Sequence, residues 1–308
     1  MALNFFLPRL LPGDPLDASA TDGFGLATPT LTLEARARLR TSYHLDEPPP
    51  TQLRSYLADL GHADLGWSMS RVTPVSQLIG DRLPWTLGLV ATSVVVAGAG
   101  GASLGLLAAW RGGRTARVLI TASTVLSALP EFLIAMALLL ILAVALRWFP
   151  LQGGSSMFNA SNANLFAGAL DVAWHLTLPA LTLVFATSAG FVLLAHGAVL
   201  RVRDEAYLTT ARAKGLGEGA VSIRHAVPNA ILPVLTLFGV RLGHVLGGAL
   251  VVERVFAIPG LGLLTFEAIR ARDYPVLQAI FLLGSLGILA ANFAVELAYV
   301  WLGPRRGA

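Results

Sequence analysis

Long apolar stretches alternate along the chain with short polar or charged ones. Trp85 to Trp110 carries no charge, Val118 to Leu146 carries only Glu131, Val172 to Leu200 only His175 and His196, and Pro275 to Leu302 only Glu296. Each exceeds the roughly 18 residues that a helix needs to cross a bilayer core. Ile231 to Val252 is interrupted by Arg241 and His244. Ionisable groups inside a span face a bundle interior or a wet cavity, so this stretch is read as a fifth span. Met1 to Pro12 is apolar but too short to cross; with no basic segment before it and no cleavage site after it, it reads as the stump of a first span. Leu16 to Arg82 is polar, mixed in charge and too thin in apolar periodicity for a large core. The expected organisation is a truncated first segment at 1–12, an extracytoplasmic region at 13–84 and a transmembrane domain at 85–308.

Composition agrees with lipid as the solvent. The chain is 55% hydrophobic and 13% charged, with a mean hydropathy of +0.68, about half the charge of an ordinary soluble domain. The expected fold is an all-α, polytopic transmembrane helix bundle with five clear spans plus the truncated one. A net charge of +4 does not signal nucleic acid, because the basic residues flank membrane segments and form no long basic face. Arg111, Arg114 and Arg117 fill one short loop, Arg201, Arg203, Arg212, Lys214 and Arg224 sit in another, and Arg305 and Arg306 end the chain. All three regions belong on the cytoplasmic side. The stretch from Phe149 to Ala169 has no charged residue and is rich in Gly, Ser and Asn, a loop composition expected to cap the outer mouth. With no cysteine, disulfides and thiolate metal sites are excluded.

The most informative segment is the loop 201–230, DEAYLTTARAKGLGEGAVSIRHAVP at its centre. Asp204 is placed to cap a helix, Glu205 suits its positive N-terminus, Lys214 suits its last turn and Gly215 can take the left-handed conformation after it. A second short helix is expected from Glu218 to Val227, stopped by Pro228, with Gly217 and Gly219 loosening its start. Ala206, Leu208, Ala211, Ala213 and Leu216 supply apolar contacts; Arg203, Arg212, Lys214 and Arg224 supply charge. By pattern alone the pair fits a groove on a partner protein and an anionic headgroup layer equally well.

This loop resembles the "EAA" coupling loop of binding-protein-dependent ATP-binding-cassette importers, whose pattern is E-A-A-x3-G-x9-I-x-L-P. Gly215 and Pro228 keep the spacing and Ala211 matches the second Ala, while Thr209, His225 and Val227 depart from the Glu, Ile and Leu. YLTTARAKGL and RHAVPNAILP are similar to the version found in the dipeptide, oligopeptide and nickel branch. The likeness extends over nearly the whole chain: LPGDP at Leu11 to Pro15, LGWSMSRVTPVSQLIGDRLPWTL at Leu65 to Leu87, HLTLPALTL from His175, VVERVFAIPGLGLL from Val251 and ARDYPVLQA from Ala271. The resemblance implies a permease of the first type, in a bacterial cytoplasmic (inner) membrane, importing peptides or nickel chelates. It implies a second, similar permease as heterodimer partner, two ATPase subunits docked on the coupling loops, and an extracytoplasmic substrate-binding protein. ATP and Mg²⁺ would sit on the ATPases, with no cofactor on this chain. Lys214 is the only lysine and Ala213 precedes it, so no G-x-x-x-x-G-K-[ST] phosphate loop is present.

Other residues were weighed against plainer roles. Glu131 and Arg241 each lie midway along an expected span, as a contact of the translocation path or as a buried charge pair. His175, His196 and His244 lack H-x-x-H or H-E-x-x-H spacing, and hydrogen-bonded structural histidines are the preferred reading over metal ligands. The glycines of VAGAGGASLG lie inside a charge-free span and suit close helix packing. A stand-alone or ion-coupled transporter would need charged relays in the spans and no docking helices. A membrane enzyme would need a nucleophile or metal constellation, and no G-x-S-x-G elbow occurs.

Overall fold

The computed structural model describes Phe5, residues 47–156 and residues 165–302; the stump expected at 1–12, the LPGDP motif and the C-terminal arginines lie outside these, Phe5 apart. Every regular element among the described residues is helical, with one isolated bridge between Trp67 and Pro74 in place of any sheet. A short helix α1 (Pro49–Gly61) precedes α2 (Val75–Arg111), α3 (Gly113–Ala128), α4 (Glu131–Ala145) and α5 (Leu165–Arg203). There follow the short α6 (Ala206–Ala213), α7 (Glu218–Gly247), two short helices α8 (Leu250–Val255) and α9 (Leu261–Ala271), and the final α10 (Tyr274–Leu302). The helices α2, α5, α7 and α10 are each long and apolar enough to span a membrane.

Two expectations change here. The boundary at 84/85 falls inside α2, which begins at Val75. Pro84 lies within that helix, which runs on without a break and widens into a π turn over Leu87–Ala91 after it. The stretch Val118 to Leu146 is not one straight span: α3 and α4 meet at 103°. The cause is Leu129-Pro130. A residue before proline is driven out of the helical region, and Leu129 is extended at φ −80°, ψ 129°. Glu131 therefore occupies the first turn of α4, where a carboxylate complements the helix dipole, and not the middle of a straight helix.

The centre of the bundle is the contact of α2 with α5, the most extensive between any two helices. Small residues make it possible. A Cβ on Gly101 would stand 2.7 Å from the Ser188 carbonyl oxygen, and one on Gly105 would stand 2.3 Å from that of Val192. The backbones thus touch, as small residues allow in lipid, where apolar burial adds little. Gly239 and Gly243 of α7 play the same part against Val295 and Ile288 of α10. Ala97, Ala102, Phe191, Ala195 and Val234 bury the junction of α2, α5 and α7.

At one end of the bundle, Val75 and Ile79 pack on Leu261 and Leu264 of α9 and on Leu277 and Ile280 of α10. At the other end, Ala109 meets Ala198, Val199 and Ala230. The loop 201–230 lies at this second end, and α8 and α9 lie at the first, so the chain crosses the bundle between them along α7.

Candidate coupling loop and charged sites in the spans

The end of α5 leads through Asp204 into α6. Glu205, not Asp204, is the residue before the helix, at φ −69°, ψ 143°, and no side chain caps it; the first helix is one turn tighter than the expected Asp204 to Gly215. Asp204 is exposed and in a turn. The other end follows the sequence: the Lys214 amide donates to Thr210 O at 3.1 Å, and Gly215 takes φ +81°, which a glycine adopts without a steric cost.

The second helix starts at Glu218, with Gly217 preceding it. It does not stop at Pro228. After one turn it widens into a π segment over Ser222–Ala226, where the Val227 amide donates to Ser222 O, and then continues to Gly247. The wide turn relieves the clash that Pro228 would make with the carbonyl four residues back. The coupling segment and the following span are consequently one helix of 30 residues.

A small core fixes α6 to this helix. Leu208 is fully buried, and Ala211, Val221 and Ala226 join it, with Trp110 from α2 and Val202 from α5 packed against them. Polar contacts surround it. Arg212 Nε donates to Glu218 Oε1 at 2.9 Å across the turn, its guanidinium lies 5.9 Å from the Trp110 ring centre, and Asn229 Nδ2 donates to the Tyr207 hydroxyl at 3.0 Å. Packing these six apolar side chains together makes the pair a rigid body joined to three long helices. The outward face is different: Tyr207 is 40%, Leu216 36% and Ile223 71% exposed. Lys214, Arg224 and Pro228 are exposed beside them.

Of the two charges expected within spans, Arg241 is exposed on α7 and Glu131 is half-buried at the α3–α4 corner. No ion pair within 4 Å joins them among the described residues. His244 and His175 each bond a backbone carbonyl four residues earlier through Nδ1, at 2.7 and 2.8 Å, as structural histidines do. No group of three or more His, Cys, Asp or Glu side chains is placed to hold a metal among the described residues.

Two sites at the opposite end went unread in the sequence. Glu253 is fully buried. Its carboxyl accepts from Thr86 Oγ1 at 2.9 Å, from the Ala249 amide at 3.2 Å and from the Leu263 amide at 3.0 Å. Thr86 Oγ1 in turn accepts from the Leu261 amide at 2.7 Å. Gly260 is required beside them, since a Cβ there would stand 2.4 Å from Glu253 Oε2 and 2.6 Å from Thr86 Oγ1. The signal was a lone acid inside the apolar VVERVF run followed by P-G-L-G. The second site is Asp273, also buried, whose Oδ2 accepts from Ser68 Oγ at 2.5 Å, Ser70 Oγ at 2.7 Å and the Ser70 amide at 3.0 Å. Arg71 and Glu267 close its rim at 2.7 Å.

The loop after α4 also packs at this end. Gly154 lies against the Trp85 ring, Gly153 donates its amide to Phe256 O at 2.9 Å, and Phe149 stacks on Trp174 with centres 4.8 Å apart.

Known proteins match this arrangement over its length. Residues 101–307 match the family described as binding-protein-dependent transport system inner membrane component. A probable peptide ABC transporter permease protein of Sinorhizobium fredii is 36% identical, over 98% of this chain and 92% of that protein. A glutathione transport system permease protein of Pectobacterium atrosepticum is 35% identical over 99% and 92%, and an oligopeptide transport system permease protein of Bacillus subtilis 34% over 98% and 92%. Together with the multi-pass bundle, these likenesses show that the chain belongs to the inner-membrane permease components of binding-protein-dependent ABC importers, of the dipeptide and oligopeptide type.

Proposed function

We propose that this chain forms half of a peptide translocation path with a second, homologous permease, and that the loop from Glu205 to Pro228 docks on an ATPase subunit. The observation that carries the docking reading is the division of the loop into two faces. Leu208, Ala211, Val221 and Ala226 are spent on internal packing, whereas Tyr207, Leu216 and Ile223 present apolar surface beside Lys214 and Arg224. A headgroup layer requires only the second face. The rigid attachment to α2, α5 and α7 is what a mechanical coupler needs, since a displacement at the loop then moves whole helices.

ATP and Mg²⁺ belong to the partner ATPases in this reading, and an extracytoplasmic binding protein delivers peptides to the end built from α8 and α9. Relatives named for peptides, oligopeptides and glutathione support a substrate that carries a carboxylate and an amine. Arg241 and Glu131 offer the complementary charges within the membrane. Arg241 is exposed and Glu131 half-buried in the single chain, which supports reading them as facing a surface completed by the second permease, where a charge is tolerated because it is wet or paired.

The test is co-purification with the ATPase subunits. Leu216→Asp with Ile223→Asp leaves the packing core untouched and is expected to abolish ATPase retention while the permease still inserts. Retention of the ATPases by that double variant would sink the docking reading.

A further inference from the structure

A cavity of about 340 Å³ opens between the inner-end segments of α2, α3 and α5, within the range of small-molecule sites, about 300–1,000 Å³. Its polar lining is Thr121 and three basic groups: Arg117 from α3, and His196 and Arg203 from α5. Ala116, Ile120 and Leu200 line the apolar remainder. No carboxylate lines it, and neither Arg117 nor Arg203 has an acidic partner among the described residues. Arg203 donates one bond, from Nη1 to Ala109 O at 3.3 Å, which aims the guanidinium across the α2–α5 seam and leaves its other donors open.

The depth of the cavity matches its chemistry. The Gly112–Gly113 link and Arg203 mark the rim. At 1.5 Å per helical residue, Thr121 and His196 lie roughly 10–12 Å further into the membrane. The two guanidiniums lie nearer the rim than Thr121 and His196, with Ile120 and Leu200 beside these, an order that suits a phospholipid's phosphate above its polar glycerol-ester region.

We propose that this cavity binds the phosphate-bearing headgroup of an anionic phospholipid from the cytoplasmic leaflet, held by Arg117 and Arg203. Basic pockets between helices on the cytoplasmic side are suited to such headgroups. The bound lipid sits against the α2–α5 contact and the end of α5 that carries the coupling loop, so it stabilises the joint through which the loop moves. The site stands independently of the docking and substrate readings above.

The full chain, purified from membranes in mild detergent, is examined by native mass spectrometry and then delipidated. Phosphatidylglycerol, phosphatidylcholine or inorganic phosphate is added back while adduct mass and thermal midpoint are followed. The wild type is expected to retain phosphatidylglycerol and to regain its midpoint with that lipid alone. Arg117→Gln is expected to weaken retention about fivefold, the worth of one surface arginine. Arg117→Lys is expected to restore it, and Arg114→Gln, which removes an equal charge outside the cavity, to weaken it less than Arg117→Gln does. Equal retention by Arg117→Gln and wild type overturns the proposal. So does equal stabilisation by phosphatidylcholine, or by inorganic phosphate, which would make the site one for free anions.

Discussion

Thr86 of α2 and Glu253 of α8 are 167 residues apart in sequence, yet Thr86 Oγ1 donates to Glu253 Oε1 at 2.9 Å in a site closed to solvent. The bond ties the wide turn of α2 to the hairpin of short helices before α10. Because Thr86 also accepts the Leu261 amide and Glu253 the Ala249 and Leu263 amides, one carboxyl organises the starts of both helices of the hairpin.

Glu253→Ala should therefore cost far more than an exposed substitution. It leaves a hydroxyl and two amides without their acceptor, each worth about 1–3 kcal/mol when buried. Thermal unfolding of the detergent-solubilised chain should show a drop for Glu253→Ala and for Thr86→Val, with a double variant less destabilised than their sum. Additive losses would show that the two residues do not act together.

Neighbouring glycines of α2 should behave oppositely. A Cβ at Gly105 meets the Val192 carbonyl at 2.3 Å, while one at Gly100 meets nothing within 4 Å. Gly105→Val is expected to destabilise by about 3 kcal/mol or more, at or beyond the upper end of the usual overpacking cost because backbone must move, and to lose folded protein in membranes. Gly100→Val should accumulate normally. Equal accumulation of the two would contradict the packing of α2 on α5.

The Arg212–Glu218 pair spans the turn of the coupling loop but is partly exposed, at 34% and 64% of the side chains. An exposed pair is worth about 0.2–1 kcal/mol, so Arg212→Glu should scarcely alter unfolding. Peptide uptake should fall, and the exchange Arg212→Glu with Glu218→Arg should recover part of it. Uptake unaffected by the single reversal would remove the pair from the coupling reading.

Asp273 anchors the segment carrying Ser68 and Ser70. Asp273→Ala removes the common acceptor of three hydrogen bonds, and protease cleavage between Ser68 and Val72 should become faster by an order of magnitude or so, corresponding to ~1.4 kcal/mol of local opening. Unchanged cleavage would mean that packing alone holds the segment.

Glu131→Gln and Arg241→Gln should each reduce uptake while assembly with the transport partners stays normal. Assays of uptake and subunit assembly in parallel decide this. Normal transport by both variants would leave these charges with no part in the path.

Much of this protein was legible in one dimension because lipid imposes a simple rule: a spanning segment must satisfy its own backbone hydrogen bonds and be apolar along about 20 residues. That rule located α2, α5, α7 and α10, and the small residues of VAGAGGASLG announced a helix that others approach closely. Turn chemistry placed Gly215 correctly because a left-handed φ is a local property. Local rules failed where proline acted within a tertiary context. Leu129-Pro130 broke an apparently continuous span by 103°, while α2 runs straight through Pro84 and a wide turn absorbs Pro228. A proline's lost hydrogen bond can end a helix or be accommodated, and the surrounding packing chooses. The roles of Glu253 and Asp273 were likewise beyond the sequence, since a carboxyl in a loop reads as solvated until partners from residues 86, 68 and 70 are folded against it. Burial and hydrogen bonding between distant segments, which no local pattern encodes, decided what those charges do.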